Sequence, residues 1–512
     1  MIIREIGTAR PLLVLFGALA LVGLLVNLIG ITFPIYWHPD EAGKAFQLQL
    51  GQYNFYHPQL LLRLAYVSDA IVPGDTLRRQ ILAGRAVSAV AAAVAIGTLG
   101  VIVARRFGSL RLGAVAGTLV AATPSVFISA HFFKEDAVLL MGIALTMLAM
   151  HQIEERPSRR WVAVLGIALG VACSAKYVGA AMIAPIGWVL LIKRVSWGNI
   201  GLCLLCAALV FLAVNNPAIF GQSSLKIGFL AELAHVTGDH GGIVWGPLSP
   251  RTLIHFWQGV STPIVAVLLI GLVAHFGRLK IFDAIVLVSP LMWLAIAQMS
   301  AVSFARYIMP AAALTPVAAV WVYGMTPPSR AKLKVLMAAG LLLGGALMAR
   351  PVTEAALAFL DNPRTRTADW IRENLPTDSV IAAEFFAGIP TPERVSTDSY
   401  VGLLPQKVIQ RSYHMAGEGS LDQLRKSGVT YIVISSSHFA RFYDPYAAYS
   451  ENAVAQKKFY DDIFAKLTPI HEESRYSETD IVLSSRIFVY DIRQHSDRTV
   501  TAAPTTKCVG AC

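Results

Sequence analysis

Charged residues are scarce in this chain. They make up 15% of its 512 residues, whereas a soluble globular domain usually has about 25%. Hydrophobic residues make up 55%, and most of them lie in long runs. By length alone we would expect roughly three or four soluble domains, but a run of about 20 apolar residues spans a bilayer instead. The composition therefore excludes an ordinary soluble protein and predicts a polytopic α-helical membrane protein.

Several common catalytic motifs are missing as well. The sequence has no Walker A motif, no G-x-G-x-x-G, no G-x-S-x-G and no H-E-x-x-H, so nucleotide hydrolysis, Rossmann cofactors, serine hydrolysis and zincin chemistry have no support. Only five cysteines occur. Cys173, Cys203 and Cys206 lie in apolar segments, as small hydrophobes do. Cys508 and Cys512 end the chain and allow a disulfide if that tail lies in an oxidising compartment.

The apolar runs predict about eleven transmembrane helices. The first run is too long for the apolar core of a cleaved signal peptide, so we expect it to remain as the first span. The candidate spans are residues 11–33, 84–104, 112–130, 137–152, 161–175, 178–192, 199–217, 261–277, 281–299, 307–325 and 332–350.

Basic residues predict the orientation of these spans. With a cytoplasmic N-terminus, every short cytoplasmic connection is basic, as the positive-inside rule requires. The topology thus accounts for the net charge of +11, and we expect no nucleic-acid partner. The residue usage favours a bacterial plasma membrane. The basic connections contain Arg105, Arg106 and Arg111; Arg156, Arg159 and Arg160; Lys193 and Arg194; Arg278 and Lys280; and Arg330, Lys332 and Lys334.

The C-terminal part alternates between helix-like and strand-like segments. This alternation predicts a small extracytoplasmic α/β domain over residues 351–494. It follows a transmembrane domain over residues 1–350, and it precedes a Thr- and Ala-rich tail, 495–512, that we expect to be disordered. The expected helices are Asp369–Leu375 and Leu421–Ser427, and the expected strands are Ser379–Ala383, Thr430–Ser435 and Ile487–Tyr490.

The first extracytoplasmic loop contains two adjacent carboxylates, Asp40 and Glu41, directly after a span. One carboxylate can act as a general base on an acceptor hydroxyl while the other orients the acceptor or binds a cation. Acidic residues at a helix start are also ordinary, because they favour the helix dipole. Further along the loop, His57 lies among aromatic residues that suit either sugar rings or the membrane interface.

Three other polar motifs fall on the same side of the membrane. Lys134, Glu135 and Asp136 form a compact group beside a span, where charges are costly unless paired or functional. Lys176 and Arg306 each lie beside apolar runs, where they either anchor at the interface or bind a phosphate. A long outer loop, 218–260, is expected to cover the site.

Together these motifs resemble the GT-C membrane glycosyltransferases, in particular the protein O-mannosyltransferase and lipid A aminoarabinose transferase branch. The resemblance covers about residues 10–350. The residues that carry it are Asp40-Glu41, His57-Pro58, Lys134-Glu135-Asp136, Ala175-Lys176-Tyr177 and Arg306-Tyr307 with Pro310.

The resemblance implies a single-displacement, inverting transfer of a sugar from a polyprenyl-phosphate donor to an extracytoplasmic acceptor hydroxyl. Asp40 would be the base, with Glu41 assisting, and Lys176, Arg306 and Lys134 would contact the donor phosphate. Several GT-C enzymes use a divalent cation, and the metal stays unassigned here. The remaining motif residues, His57, Glu135, Asp136, Tyr177 and Tyr307, are expected to bind substrate.

Two other classes of protein remain open at this point. A transporter or flippase of an anionic lipid-linked substrate also uses charges within a membrane, but such proteins often contain internal repeats, and none is visible in this sequence. An assembly protein that binds a partner through the α/β domain would not need Asp40 and Glu41 beside the membrane.

Overall fold

The computed structural model describes residues 9–34, 38–72, 76–216, 225–275, 277, 279–389, 404–410, 415–474 and 485–493. The predicted disordered tail and its two cysteines lie outside these residues. The helices are α1 (Ala9–Asn27), α2 (Pro39–Leu50), α3 (Leu60–Asp69), α4 (Thr76–Phe107), α5 (Leu110–Ala121), α6 (Pro124–His131), α7 (Glu135–Glu155), α8 (Arg159–Ala175), α9 (Ile183–Ile192), α10 (Trp197–Asn215), α11 (Leu225–Thr237), α12 (Pro250–Gly259), α13 (Thr262–His275), α14 (Ile281–Gln298), α15 (Met309–Met325), α16 (Ala331–Leu360), α17 (Pro363–Asn374), α18 (Leu421–Lys426), α19 (Ser436–Phe439) and α20 (Glu451–Lys466).

Long apolar helices dominate the first 360 residues. Seven helices of the described chain are long and apolar enough to cross a membrane, and there are nine if each of two bent pairs, α5–α6 and α12–α13, is one span. The predicted count of eleven also included α8 and α9. These two segments are helical, but they have 17 and 10 residues, fewer than the roughly 20 that a perpendicular span needs.

Close backbone contacts set the positions of the helices that carry the polar motifs. A Cβ added at Gly142 of α7 would lie 2.6 Å from the Cα atom of Ala172 in α8, and one at Gly113 of α5 would lie 2.5 Å from the carbonyl oxygen of Gly100 in α4. Small residues at such crossings allow membrane helices to pack backbone to backbone. The close α7–α8 packing brings the first turn of α7 near the end of α8.

The C-terminal α/β domain is confirmed. The strands are β1 (Ile243–Val244), β2 (Val380–Ala383), β3 (Lys407–Gln410), β4 (Tyr431–Ser435), β5 (Ala448–Tyr449), β6 (Pro469–Glu473) and β7 (Ile487–Asp491). The helix α16 continues to Leu360, across the predicted domain boundary at residue 350. The five-stranded sheet of the domain has the order β3-β2-β4-β7-β6, in which β2 pairs in parallel with β3 and β4, while β7 runs antiparallel to β4 and β6.

The loop between α11 and α12 is attached to this domain. Its strand β1 pairs antiparallel with β5 of the domain. Beside that pair, the Trp245 indole nitrogen donates a 2.7 Å hydrogen bond to Asp444, and Arg251 forms a 3.3 Å ion pair with the same carboxylate. These contacts hold the α/β domain over the helix ends on one side of the bundle.

Candidate active site

The helix α2 begins at the first acidic motif and fixes the direction of both carboxylates. The backbone at His38 is extended, its Nδ1 atom accepts a hydrogen bond from the Asp40 amide, and Pro39 occupies the first helical position, which favours helix initiation. Residues four apart lie on the same helix face, so Asp40 and Lys44 face the same way. Glu41 is rotated by about 100° to a different neighbour.

The three consecutive residues of the Lys134-Glu135-Asp136 motif have three different ion-pair partners. Lys134 pairs with Asp40, and Glu135 pairs with Lys44 at 2.7 Å. Asp136 pairs with Lys176 at 2.9 Å. The motif therefore does not compensate its own charges. It joins the start of α7 to α2 on one side and to the end of α8 on the other.

Asp40 differs from the other paired carboxylates because it stays accessible. Its side chain is 42% exposed, whereas those of Glu135 and Asp136 are each 4% exposed. Asp40 lines both of the cavities described below. Burial would raise the pKa of the Asp40 carboxyl, but the surrounding positive charges, of which Lys134 acts most strongly, together hold the pKa well below its ordinary value. Asp40 is thus ionised and open to a ligand.

Glu41 lies in a sealed ion pair with Arg85 of α4. Both carboxylate oxygens accept hydrogen bonds from the guanidinium, at 2.8 and 2.7 Å, and both side chains are 0% exposed. Glu41 also accepts from the Phe133 amide at 2.9 Å. Arg85 in turn donates to the carbonyl oxygens of Ile31 and Phe33. Glu41 contacts neither of the cavities described below, so it is placed to hold α2 against the bundle.

Two cations converge on the aromatic ring of Tyr307. The Lys176 ammonium lies 4.9 Å from the ring centroid, and the Arg306 guanidinium lies 5.3 Å from it and 4.2 Å from that of Phe304. Arg306 and Tyr307 belong to a short 3₁₀ helix, Ala305–Ile308, before α15. Burial would lower the pKa of Lys176, but its pairing with Asp136 raises it, so the ammonium stays charged.

His57 and Tyr177 differ in their access to ligands. The His57 Nδ1 atom is 3.8 Å from a carboxylate oxygen of Glu232, and burial lowers the pKa of His57 to about 3, which leaves the imidazole neutral. Tyr177 donates a 2.8 Å hydrogen bond to the Phe55 carbonyl, and Phe55 has a positive φ of 52°. Tyr177 therefore supports the backbone of the first loop and does not line either cavity.

Two cavities meet at Asp40. One, which we call the lysine cavity, has a volume of about 540 Å³ and is lined by Lys44, Lys134 and Lys176. The other, which we call the roof cavity, has a volume of about 240 Å³ and lies between the membrane helices and the α/β domain. Both cavities are lined by Asp40, Lys134, His240 and Arg306.

Each cavity has further lining residues from different parts of the chain. The lysine cavity has Glu135, Tyr307 and His57 together with the α11 residues Glu232 and His235. The roof cavity has Asp136, the loop residues Trp245 and Arg251, and the domain residues Phe386, Ser437, Ala440, Arg441 and Asp444.

The acidic residues around Asp40 do not fit a divalent cation. Asp40, Glu135 and Asp136 each have a lysine as their ion-pair partner. The part of the chain that the structure describes contains no group of three or more His, Cys, Asp or Glu side chains placed to hold a metal. Asp239, in the loop between α11 and α12, accepts a hydrogen bond from the Gly242 amide.

The structure thus brings most of the predicted binding residues to the two cavities. The exceptions are Glu41 and Tyr177. Sequence reasoning missed Lys44, Arg85, Glu232 and Arg441. A signal was available for Lys44, which lies one helical turn after Asp40, and for Arg85, a charge inside an apolar run that calls for a partner.

Comparison with known proteins finds a matching family model and similar solved structures. Residues 77–220 match the family model described as dolichyl-phosphate-mannose-protein mannosyltransferase. A comparison with curated proteins finds no match. The apo oligosaccharyltransferase of Archaeoglobus fulgidus matches with a TM-score of 0.50 at 10% identity, over 90% of this chain and 80% of that one. This likeness shows a shared fold.

Two further solved structures are similar. ArnT from Cupriavidus metallidurans bound to undecaprenyl phosphate has a TM-score of 0.49 at 15% identity, over 94% of this chain and 98% of that one. The protein O-mannosyltransferase Pmt1-Pmt2 complex of S. cerevisiae, bound to its sugar donor, has a TM-score of 0.34 at 19% identity, over 51% of this chain and 38% of that one. The match of the family model to residues 77–220 confirms the predicted resemblance.

Proposed function

We propose that the protein is a glycosyltransferase that moves a sugar from a polyprenyl-phosphate donor to an acceptor hydroxyl, with Asp40 as the general base. The observation that carries this proposal is the position of Asp40. It is an ionised, 42% exposed carboxylate at the junction of two cavities, where one ligand can enter from each side.

The donor phosphate fits the lysine cavity. That cavity offers Lys176 and Arg306, and it adds Lys134 beside Asp40. A guanidinium and an ammonium together suit the oxygens of a phosphate, because charge-assisted hydrogen bonds are the strong ones. The Tyr307 ring that both cations contact holds them side by side. The acceptor would then occupy the roof cavity on the other side of Asp40.

The reaction follows from this arrangement. Asp40 removes the proton of the acceptor hydroxyl as its oxygen attacks the anomeric carbon of the sugar. The bond from that carbon to the phosphate oxygen breaks, and its electron pair leaves with the polyprenyl phosphate. Lys176 and Arg306 stabilise the charge that develops there. A single displacement with attack from the opposite face inverts the anomeric configuration.

We also propose a location for this reaction. The basic connections predicted to be cytoplasmic include Arg105 and Arg106, which form ion pairs with Glu155 and Asp283 at the ends of their helices away from Asp40. By the positive-inside rule, Asp40 and the α/β domain face the extracytoplasmic side. The residue usage favours a bacterial plasma membrane.

A transfer assay tests the proposal. Purified protein receives radiolabelled polyprenyl-phosphate sugars and a membrane extract as the source of acceptor. We expect wild type to transfer label with inverted anomeric configuration, and Asp40→Asn to lose roughly 100- to 10,000-fold in rate, as loss of a general base does. The matched control is Asp69→Asn, since Asp69 pairs with Arg79 at 2.7 Å and lines neither cavity.

Other results would overturn parts of the proposal. Full activity in Asp40→Asn would remove Asp40 as the base, and a retained anomeric configuration would exclude a single displacement. Movement of lipid between liposome leaflets, without transfer to any acceptor, would replace the enzyme by a transporter.

A further inference from the structure

The roof cavity has a cation that none of the described carboxylates pairs with. Arg441 follows α19 in the α/β domain and lines this cavity. Its guanidinium donates hydrogen bonds to two backbone carbonyls, those of His438 at 3.0 Å and Ser437 at 3.2 Å, and it lies 5.7 Å from the ring centroid of Phe386. These contacts aim the guanidinium but leave its charge uncompensated.

Glu384, the acidic residue whose charge acts on Arg441, does not neutralise it. Glu384 accepts hydrogen bonds from the Tyr460 hydroxyl and from the Ser435 amide. Burial raises the pKa of Glu384 to about 8, so at pH 7 this group is mostly the neutral acid. An arginine side chain keeps its charge in proteins. Arg441 is therefore a cation beside a neutral partner.

Arg251, which also lines the roof cavity, does have a carboxylate partner. Arg251 pairs with Asp444 at 3.3 Å, and Asp444 also accepts a hydrogen bond from Trp245. The Asp444 carboxylate is thus already paired with a cation. A buried charge without a counter-ion is costly, and an anion from a ligand would offset that cost at Arg441.

We propose that the acceptor carries an oxyanion, a phosphate or a carboxylate, and that Arg441 binds this group in the roof cavity. The inference rests on the proposed function, which assigns the roof cavity to the acceptor. A guanidinium binds such groups in a bidentate manner. The volume of about 240 Å³ is below the 300–1,000 Å³ of common ligand pockets, so the cavity suits one polar headgroup. The aromatic rings of Phe386 and Phe304 on its walls suit a sugar next to the anion.

A binding experiment separates this site from the donor site. The full-length protein in detergent is first saturated with undecaprenyl phosphate, and inorganic phosphate or acetate is then titrated by calorimetry. We expect wild type to bind at least one of these anions. Arg441→Gln should bind it about 10- to 100-fold more weakly, as expected for loss of a charged hydrogen bond, with unchanged affinity for undecaprenyl phosphate. Arg425→Gln is the matched control, because Arg425 pairs with Asp422 and lines neither cavity.

A second variant keeps the test decisive if Arg441→Gln does not fold. Ala440→Asp retains Arg441 and its two backbone contacts but adds a carboxylate to the cavity wall, and it should weaken anion binding to a similar extent. The proposal is overturned if wild type binds neither anion, or if both variants bind as wild type does. Failure of undecaprenyl phosphate to bind wild type would count against the proposed donor instead, and the anion titrations would still decide on Arg441.

Discussion

The two faces of α2 carry neighbouring carboxylates in opposite surroundings. On the face toward α7, Asp40 pairs with Lys134 and is 42% exposed to the cavities. On the face toward α4, Glu41 pairs with Arg85, and both side chains are fully buried. Each carboxylate has a cation, so charge alone does not distinguish them. Access to a ligand does.

This difference separates a residue suited to chemistry from one suited to holding the fold. Lysine makes a compact, mobile contact, and the Lys134 ammonium can move toward a bound phosphate. Arg85 forms a rigid fork that satisfies both oxygens of Glu41 and two backbone carbonyls as well. Asp40 can exchange partners during a reaction, whereas Glu41 has no room to do so.

The largest expected effect that tests the difference between Asp40 and Glu41 is on the stability of the protein. Glu41→Gln leaves Arg85 buried without its counter-ion, which typically costs about 3–5 kcal/mol. We expect a strong fall in the thermal unfolding midpoint, and a partial recovery when Arg85→Gln is added, because the double variant buries no unpaired charge. A Glu41→Gln protein that is as stable as wild type but inactive would instead place Glu41 in the chemistry.

The next effect is on donor binding. Lys176→Gln should weaken polyprenyl phosphate binding by about 10- to 100-fold, since a charged hydrogen bond is lost. The single variant also leaves Asp136 without its partner. The double variant Asp136→Asn with Lys176→Gln removes that penalty, and its affinity should stay low. Lys226→Gln, which changes an exposed lysine outside both cavities, is the control. Donor binding at the wild-type level in the double variant would contradict the assignment.

A smaller effect concerns the pH profile. Burial alone would raise the pKa of Asp40, and the nearby positive charges, most strongly Lys134, together keep it low. Wild type should therefore remain active until the pH falls well below the ordinary pKa of an aspartate. In Lys134→Met the strongest of these charges is lost, so this pKa should rise and the acidic limb of kcat/KM should move to higher pH. An unmoved acidic limb would show that Lys134 does not set the protonation of Asp40.

The smallest effect concerns a buried carboxyl that hydrogen-bonds to a tyrosine. Burial raises the pKa of Glu384 to about 8, above the ordinary value of 4.5. Its contribution to stability is fully present below pH 4.5 and is lost as the pH rises toward 8. Between pH 5 and 8, the unfolding midpoint of wild type should fall relative to that of Glu384→Gln. Parallel pH profiles for the two proteins would contradict the raised pKa.

Much of the site was predictable because each motif is short and continuous in the sequence. Lys134, Glu135 and Asp136 were recognised as a group, since adjacent charges beside an apolar run are unusual. Their partners were not predictable. The pairing of Lys134 with Asp40 and of Asp136 with Lys176 depends on how α7 packs between α2 and α8, which no local pattern encodes.

Packing that no local sequence pattern encodes also separates the two carboxylates of α2 and forms the roof cavity. Asp40 and Glu41 are equivalent in a local sequence pattern, and only the packing of α4 shows that Glu41 is sealed. Two helices of the α/β domain, α17 and α18, and three of its strands, β2, β4 and β7, followed from local sequence patterns. The helices α19 and α20 and the strands β3, β5 and β6 did not. The roof cavity brings Arg441 of the α/β domain and Asp40 together. The domain pairs with the loop after α11 through β1 and β5, two strands of two residues each, which carry almost no sequence signal of their own.

Chemical rescue tests the role of Asp40 most directly. In Asp40→Ala the lost carboxylate faces the cavities, so added formate can occupy its place. We predict that Asp40→Ala binds polyprenyl phosphate but transfers sugar at least roughly 100-fold more slowly, and that formate restores part of the rate. Formate should not restore Glu41→Ala, whose site is sealed. A near wild-type rate in Asp40→Ala without formate would contradict the assignment of Asp40 as the base.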